Sequence, residues 1–252
     1  MRKVVIRNGK KYLVTIPNTD PFCDGGGYYG GGSLVFGDRN QFVTASASAT
    51  DFVLSTGSFT VEWFQYATDT PINSRIFTLG VWPTAEFGVS IENYQSAIRF
   101  FPWIDGGGNI PAIAHSASVT LPYTGSWNHF VLVRESGSYL QILQNGNVLR
   151  TFVGADAFVT ANISSSLPII VGSEGDNAGN TRFSGSITSF RLVKGTALYS
   201  GSYTVPTSPL TAVAGTVLLL AAWDPSNPYL DTSGTGKTIA GNSVSFSLAN
   251  PF

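Results

Sequence analysis

The 252-residue sequence predicts an all-β fold of antiparallel strands, closed as a sandwich or a barrel. Three observations carry this. Charged residues make up 12% of the chain, about half the usual share. In their place stand 28 Gly and 13 Pro, which turn the chain, and 17 Phe, 10 Tyr and 5 Trp, which pack it. No window longer than about ten residues repeats its apolar positions at a helical period, whereas short alternating runs recur between turn signals. The length suits one large all-β domain or two small ones, with enough chain to bury a full core.

The centre is the stretch SWNHFVLVRESGSYLQILQNGNVLRTF, residues 126–152. It predicts strands over 127–134, 139–143 and 148–152, with turns over 135–138 and 144–147. Asn145-Gly146 suits a type I′ turn, in which both central residues need positive φ. Phe130, Val131, Leu132 and Val133 are apolar on both faces, as in a strand inside a sheet. Upstream, residues 3–16 alternate around Asn8-Gly9 and predict a hairpin. The run DGGGYYGGG at 24–32 predicts a linker or a close-packed loop. Strands are then predicted over 33–36, 41–44, 58–66, 75–79, 86–91 and 97–101. In SFTVEWFQY, residues 58–66, Phe59, Val61 and Trp63 share one face and Thr60, Glu62 and Phe64 the other. Strands over 168–172, 183–193, 216–223 and 244–248 complete the set.

Net charge is −1, so nothing overall draws the chain to nucleic acid or to acidic lipid. Yet Arg2, Lys3, Arg7, Lys10 and Lys11 place five of the 14 basic residues in the first eleven positions. Two readings of this hairpin stand: an arm that docks on an acidic neighbouring subunit, or a solvated turn. Cys23 is the single cysteine, so no intrachain disulfide forms, which fits synthesis in a reducing cytosol. The N-terminus lacks a signal-peptide core, and the longest apolar run, 217–223, is too short to span a bilayer. A soluble chain without membrane insertion is expected.

Catalytic patterns are scarce. There is no Gly-x-Ser-x-Gly elbow, and Cys23 has no histidine near it in sequence. His129 lies on the central predicted strand and reads as a core histidine, and His115 as a loop or strand-edge residue. Two histidines without a cysteine cluster make no zinc site. Gly234-Thr235-Gly236-Lys237-Thr238 has the end of a phosphate loop, but Asp231 occupies the place of its first glycine.

Four segments together resemble the laminin-G-like branch of the concanavalin A-like jelly rolls: GGGSLVFGDRNQFVT, SFTVEWFQYA, WNHFVLVRESGSYLQILQNGNVL and LPIIVGSEG…TRFSGSITSFRLVKGTALYS. The likeness covers about residues 30–200. The ending, from KGTALYS to SLANPF, is similar to modules of phage and large-virus structural proteins. The resemblance implies a two-sheet antiparallel jelly-roll sandwich over 33–252, including C-terminal strands within 216–248, preceded by a hairpin arm and linker over 1–32. It also implies a virion setting, with other virion proteins or copies of the chain as partners. The C-terminal strands are expected beside the 33–36 strand, or on a neighbouring subunit.

The fold family includes glucanases, which need two carboxylates across a cleft. Their Glu-x-Asp-x-x-Glu strand pattern is absent, and Glu174 with Asp176 is the one close acidic pair, so no enzyme is expected. The resemblance does imply a candidate calcium site at Glu174, Asp176 and Asn177, with Asp69 as a further ligand, against the alternative of a solvated turn. Trp82, Tyr94, Trp103, Asp105 and Asn109 are candidates for a sugar-binding platform, against the alternative that these rings pack on protein. The expected function is therefore a non-enzymatic virion structural or surface protein. The alternative is a lectin-like module that recognises a host glycan.

Overall fold

A computed structural model describes residues 2–7, 10–15, 31–37, 40–46, 48, 50–69, 74–79, 89–94, 97–102, 115–118, 124–154, 157–163, 168–173, 182–222 and 224–252, with backbone alone for 2–7, 10–15, 89–94, 97–102, 115–118 and 157–158. The chain forms two compact units, Met1–Gly30 and Gly31–Phe252. In the first, β1 (Arg2–Arg7) and β2 (Lys10–Thr15) pair antiparallel, Arg7 opposite Lys10, as a two-stranded sheet of their own.

The second unit is a sandwich of two antiparallel sheets, the predicted jelly roll. Its strands are β3 (Ser33–Phe36), β4 (Phe42–Ala45), β5 (Phe59–Ala67), β6 (Ser74–Leu79), β7 (Val89–Tyr94), β8 (Ala97–Pro102), β9 (His115–Ser118), β10 (Trp127–Glu135), β11 (Tyr139–Gln144), β12 (Asn147–Val153), β13 (Ile169–Val171), β14 (Gly185–Lys194), β15 (Thr216–Leu220), β16 (Ile239–Asn242) and β17 (Ser245–Ser247). One turn of helix, α1 (Ala157–Thr160), follows β12. The eight-stranded sheet runs β12-β11-β10-β5-β14-β3-β17, and β15 pairs with the far half of β14. The seven-stranded sheet runs β16-β4-β13-β6-β7-β8-β9. Asn145 (φ 48°) and Gly146 (φ 85°) make the predicted turn between β11 and β12. β10 is central as its two apolar faces require, with β11 and β5 on its sides.

The core fills by alternation. From β5, Phe59, Val61 and Trp63 point between the sheets with Phe130 and Leu132 of β10 and Phe190 and Leu192 of β14. Phe77 of β6 meets them from the opposite sheet, edge-on to Trp63 at 5.8 Å and to Phe190 at 5.3 Å. These rings are buried, each contributing on the order of 1.5–3 kcal/mol. Arg134 also points inward. It is fully buried and donates to the carbonyls of Gly57, Ala161 and Ser55 at 2.9, 2.7 and 2.6 Å, stacked over Phe59. Burial lowers its pKa to about 10.

The C-terminus closes the sandwich on its own chain. β17 pairs with β3, Phe246 opposite Leu34, and β16 pairs with β4, so two consecutive short strands add one edge to each sheet. Ser33 Oγ donates to the Ala249 carbonyl at 2.7 Å, and Asn250 Nδ2 to the Gly31 carbonyl at 3.1 Å.

Three details differ from expectation. Two are the short strands β9 (HSAS) and β16 (IAGN), which carry no apolar alternation to announce them, while residues 86–88 of the predicted 86–91 strand lie outside the described residues. The third concerns residues 195–213, which hold no strand and instead cross the outer face of the eight-stranded sheet.

Candidate functional site

That outer face is where the chain concentrates polar chemistry. Glu62 points outward from the middle of β5 and is fully buried. Opposite it on β14 is Arg191. A bulge makes this pairing: from Thr188 to Arg191 β14 advances three residues while β5 advances two, with Ser189 at φ 50°. Without the extra residue Arg191 would face the core, since a one-residue shift exchanges the two faces. Arg191 Nε and Nη2 donate to Glu62 Oε1 at 2.9 and 2.5 Å, and Nη1 donates to the Thr211 carbonyl.

Glu62 is the only acid of its strand, and the fold surrounds it with partners. Tyr199 Oη donates to Oε2 at 2.7 Å. His129 Nε2 stands 3.3 Å from Oε2, at ion-pair distance but out of line for a full hydrogen bond. Its Nδ1 is 2.6 Å from Tyr203 Oη, an arrangement met by the tautomer with its proton on Nε2 and Tyr203 donating. Burial alone would raise the Glu62 pKa; His129, Arg191 and Tyr199 outweigh it and hold the carboxyl below its ordinary range. Tyr199 and Tyr203 are pushed up by burial and by the Glu62 charge.

Tyr199, Tyr203 and Thr211 belong to the 195–213 segment, which lies over the face as a strap. Leu198 N donates to Thr60 Oγ1, Tyr203 N to the Gly146 carbonyl, and Leu210 N to Ser189 Oγ. Its apolar side chains rest on two outer clusters, Val131, Val133 and Leu143 under Ala197, Tyr199 and Tyr203, and Phe64 and Leu219 with Leu210. A carboxylate, an imidazole and a phenol in series could relay a proton. Here Glu62 and His129 have no exposed side-chain surface, so the cluster anchors the strap and gives a substrate no entry. His129 is buried as the sequence suggested, but it faces outward under the strap and pairs with Tyr203 rather than lying in the core.

The phosphate-loop likeness dissolves for a related reason. Asp231 accepts from the amides of Leu219, Ser233 and Lys237 and from the hydroxyls of Ser233 and Thr235, and so shapes the turn around its own carboxylate. Lys237 pairs with Asp51 at 2.9 Å. Burial opposes the Asp51 charge, but Lys237 and Ser48 lower its pKa to about 2.

Of the candidate sugar platform, Trp82, Trp103, Asp105 and Asn109 lie outside the described residues. The strand ends that bracket them are described. Val89 pairs with Pro102, so segments 80–88 and 103–114 join the seven-stranded sheet at adjacent positions of one end. Tyr94 pairs with Ala97 at the other end of the same two strands, about 16 Å away along a six-residue strand. The backbone thus separates Tyr94 from the strand ends that carry the two tryptophans. The candidate calcium ligands Glu174, Asp176 and Asn177 also lie outside the described residues, between Ser173 and Arg182. Asp69 is close in chain to Thr68, whose amide donates to the Ser184 carbonyl. Among the described residues no three His, Cys, Asp or Glu side chains gather as a metal site. Arg2, Lys3, Arg7, Lys10 and Lys11 lie on the backbone of β1 and β2.

Residues 38–199, more than half of the chain, match the family profile of the concanavalin A-like lectin/glucanases superfamily, under its laminin G heading. The chain belongs to this superfamily. Among solved structures, this superfamily member resembles a putative carbohydrate binding protein from Bacteroides ovatus, at TM-score 0.57 and 15% identity, over 86% of this chain and 59% of that one. It therefore spans well under two thirds of that protein. The mouse laminin alpha1 chain, domains LG4-5, aligns at TM-score 0.45 and 12% identity, over 69% of this chain and 46% of that one. A Ruminococcus gnavus sialidase module bound to sialyllactose aligns at TM-score 0.47 and 9% identity, over 67% of this chain and 93% of that one. No curated protein matches the sequence. The family profile and the Bacteroides ovatus likeness establish the fold, and the residues of this chain must carry any functional argument.

Proposed function

We propose that the Gly31–Phe252 unit is a non-enzymatic carbohydrate-binding module that takes glycans at the end of the seven-stranded sheet where segments 80–88 and 103–114 begin and finish. The observation that carries this reading is the pairing of Val89 with Pro102, which joins the Trp82 and Trp103 segments to neighbouring strand ends. Tryptophan faces stack on sugar rings, and Asp105 and Asn109 offer oxygens to sugar hydroxyls. The strap favours the same reading in part, because it closes the outer face of the eight-stranded sheet to a ligand. The superfamily and its Bacteroides relative accord with it. The test is a glycan array of the full chain beside Trp103→Ala and Trp82→Ala. Retention of a defined glycan set that either substitution abolishes supports the proposal. Signals that survive both, or no retention at all, overturn it.

A second reading is a virion subunit that docks on neighbouring subunits. Its support is the separate β1–β2 hairpin with its five cations, which suits an acidic partner surface. Replacing Arg2, Lys3, Arg7, Lys10 and Lys11 by Ser would then abolish incorporation into particles while leaving the body folded.

A further inference from the structure

Among the described residues, β12 is the one long strand with no neighbour on its outer side: it ends the eight-stranded sheet beyond β11. A free edge presents a row of backbone N–H and C=O groups that template pairing with another strand, and proteins blunt such edges by shortness, cover, charge or proline. The other edges of the body follow this rule. β17 has three residues, and β9 and β16 have four each. β15 has five, and the Asp231 turn lies along it, with Leu219 N donating to Asp231 Oδ1, Thr232 N to the Leu219 carbonyl and Thr235 Oγ1 to the Val217 carbonyl. β12 has seven residues and no Pro, Lys, Asp or Glu. Asn147, Arg150, Thr151 and Val153 are exposed along it, Val153 to 65%.

We infer that a second copy of the chain covers this edge, β12 against β12 about a two-fold axis at Thr151, so that one antiparallel sheet runs through both copies. The register follows from the side chains. Thr151 and Val153 pair with Gln141 and Tyr139 and face outward, whereas Phe152 pairs with Leu140 and faces the core. Directly opposed residues share a face, so outward positions must meet outward ones. An axis at Arg150 would set two guanidinium groups against each other and run the pairing through the bulge beside Leu143. An axis at Phe152 would keep only residues 151–153 of the strand in register. At Thr151 the pairing takes residues 149–153, opposes no like charges, and lays Val153 against Leu149 of the second copy. Thr151 Oγ1 accepts from Gln141 Nε2 at 3.1 Å, which leaves its own proton for the threonine across the axis.

The experiment is sedimentation equilibrium of the full chain. A strand edge buries less than the roughly 800 Å² per partner of a standard interface, so association in the micromolar range is expected, with the mass rising from one chain to two between about 1 and 500 µM. Thr151→Lys and Val153→Lys, both at exposed positions, should each weaken the dimer at least about tenfold. The axis is read separately in a Cys23→Ser background. Thr151→Cys should form a disulfide-linked dimer under mild oxidation, because residues facing each other across an antiparallel pair lie within the roughly 4.4–6.8 Å between Cα atoms that a disulfide spans. Asn147→Cys, exposed but far from the axis, should not. A monomer at every concentration overturns the inference and leaves the edge to a strand of another protein. A dimer that both lysine variants retain, growth beyond two copies, or equal cross-linking at the two cysteines also overturns it.

Discussion

Replacing Glu62 by Gln tests the account of the strap. The amide keeps the shape and one acceptor oxygen, so Tyr199 retains its hydrogen bond. Arg191 loses its counter-charge, and its side chain is 8% exposed, too little for water to take over. Removing one partner of a buried ion pair costs about 3–5 kcal/mol. Because Arg191 Nη1 keeps the Thr211 carbonyl, the lower end is expected, about 3 kcal/mol by urea denaturation. Amide exchange should locate the loss. Leu198, Tyr203 and Leu210, whose N–H groups tie the strap to the sheet, should lose protection before the amides of β10. The Glu62→Gln, Arg191→Met double variant should recover about 2 kcal/mol relative to additivity. The pH dependence has a fixed sign. The Glu62 carboxyl is depressed below its ordinary 4.5 in the folded protein. Its contribution is therefore complete above that value and lost as pH falls through the depressed one, and Glu62→Gln should lack this component. A loss below about 1 kcal/mol, or an additive cycle, would refute the claim that the ion pair anchors the strap.

Two further substitutions probe other contacts. Arg134→Met leaves the carbonyls of Gly57, Ala161 and Ser55 without a donor and should cost about 3 kcal/mol by denaturation; exchange at Ser55 and Ile163, which are bridged to each other, should rise with it. Gly146→Ala puts a methyl against the Tyr203 carbonyl at φ 85°, whereas Gly137→Ala, at φ 69°, meets open space. Calorimetry should show the Gly146 variant melting several degrees lower than the Gly137 variant, since about 1 kcal/mol shifts Tm by roughly 2–4 °C at this size.

What the sequence disclosed and what it hid follow from the range of the forces involved. The β10–β11–β12 meander was legible because its turns and alternation are local. The sides of β5 were legible for the same reason, with Phe59, Val61 and Trp63 inward and Glu62 outward. The strap was not, since 195–213 has no period and its contacts join distant positions; Tyr199 and Glu62 are 137 residues apart. The Arg191 pairing did leave a trace. Ile187, Phe190 and Leu192 face the core with a spacing of three and then two, and the three marks the bulge. Tyr94 was grouped with the tryptophans because loop composition says nothing about which end of a strand a loop leaves. Only the register of β7 on β8 separates them.

The C-terminal closure also bears on how the molecule is made. β3 and β4 each have one edge that only β17 and β16 cover, and the Ser33–Ala249 contact joins residues 216 apart. During synthesis both sheets therefore wait, with an open edge, until residues 239–247 have left the ribosome. Such edges template pairing between nascent chains. Yield should then depend more on the rate at which residues 239–247 emerge and dock than on the stability of the finished sandwich.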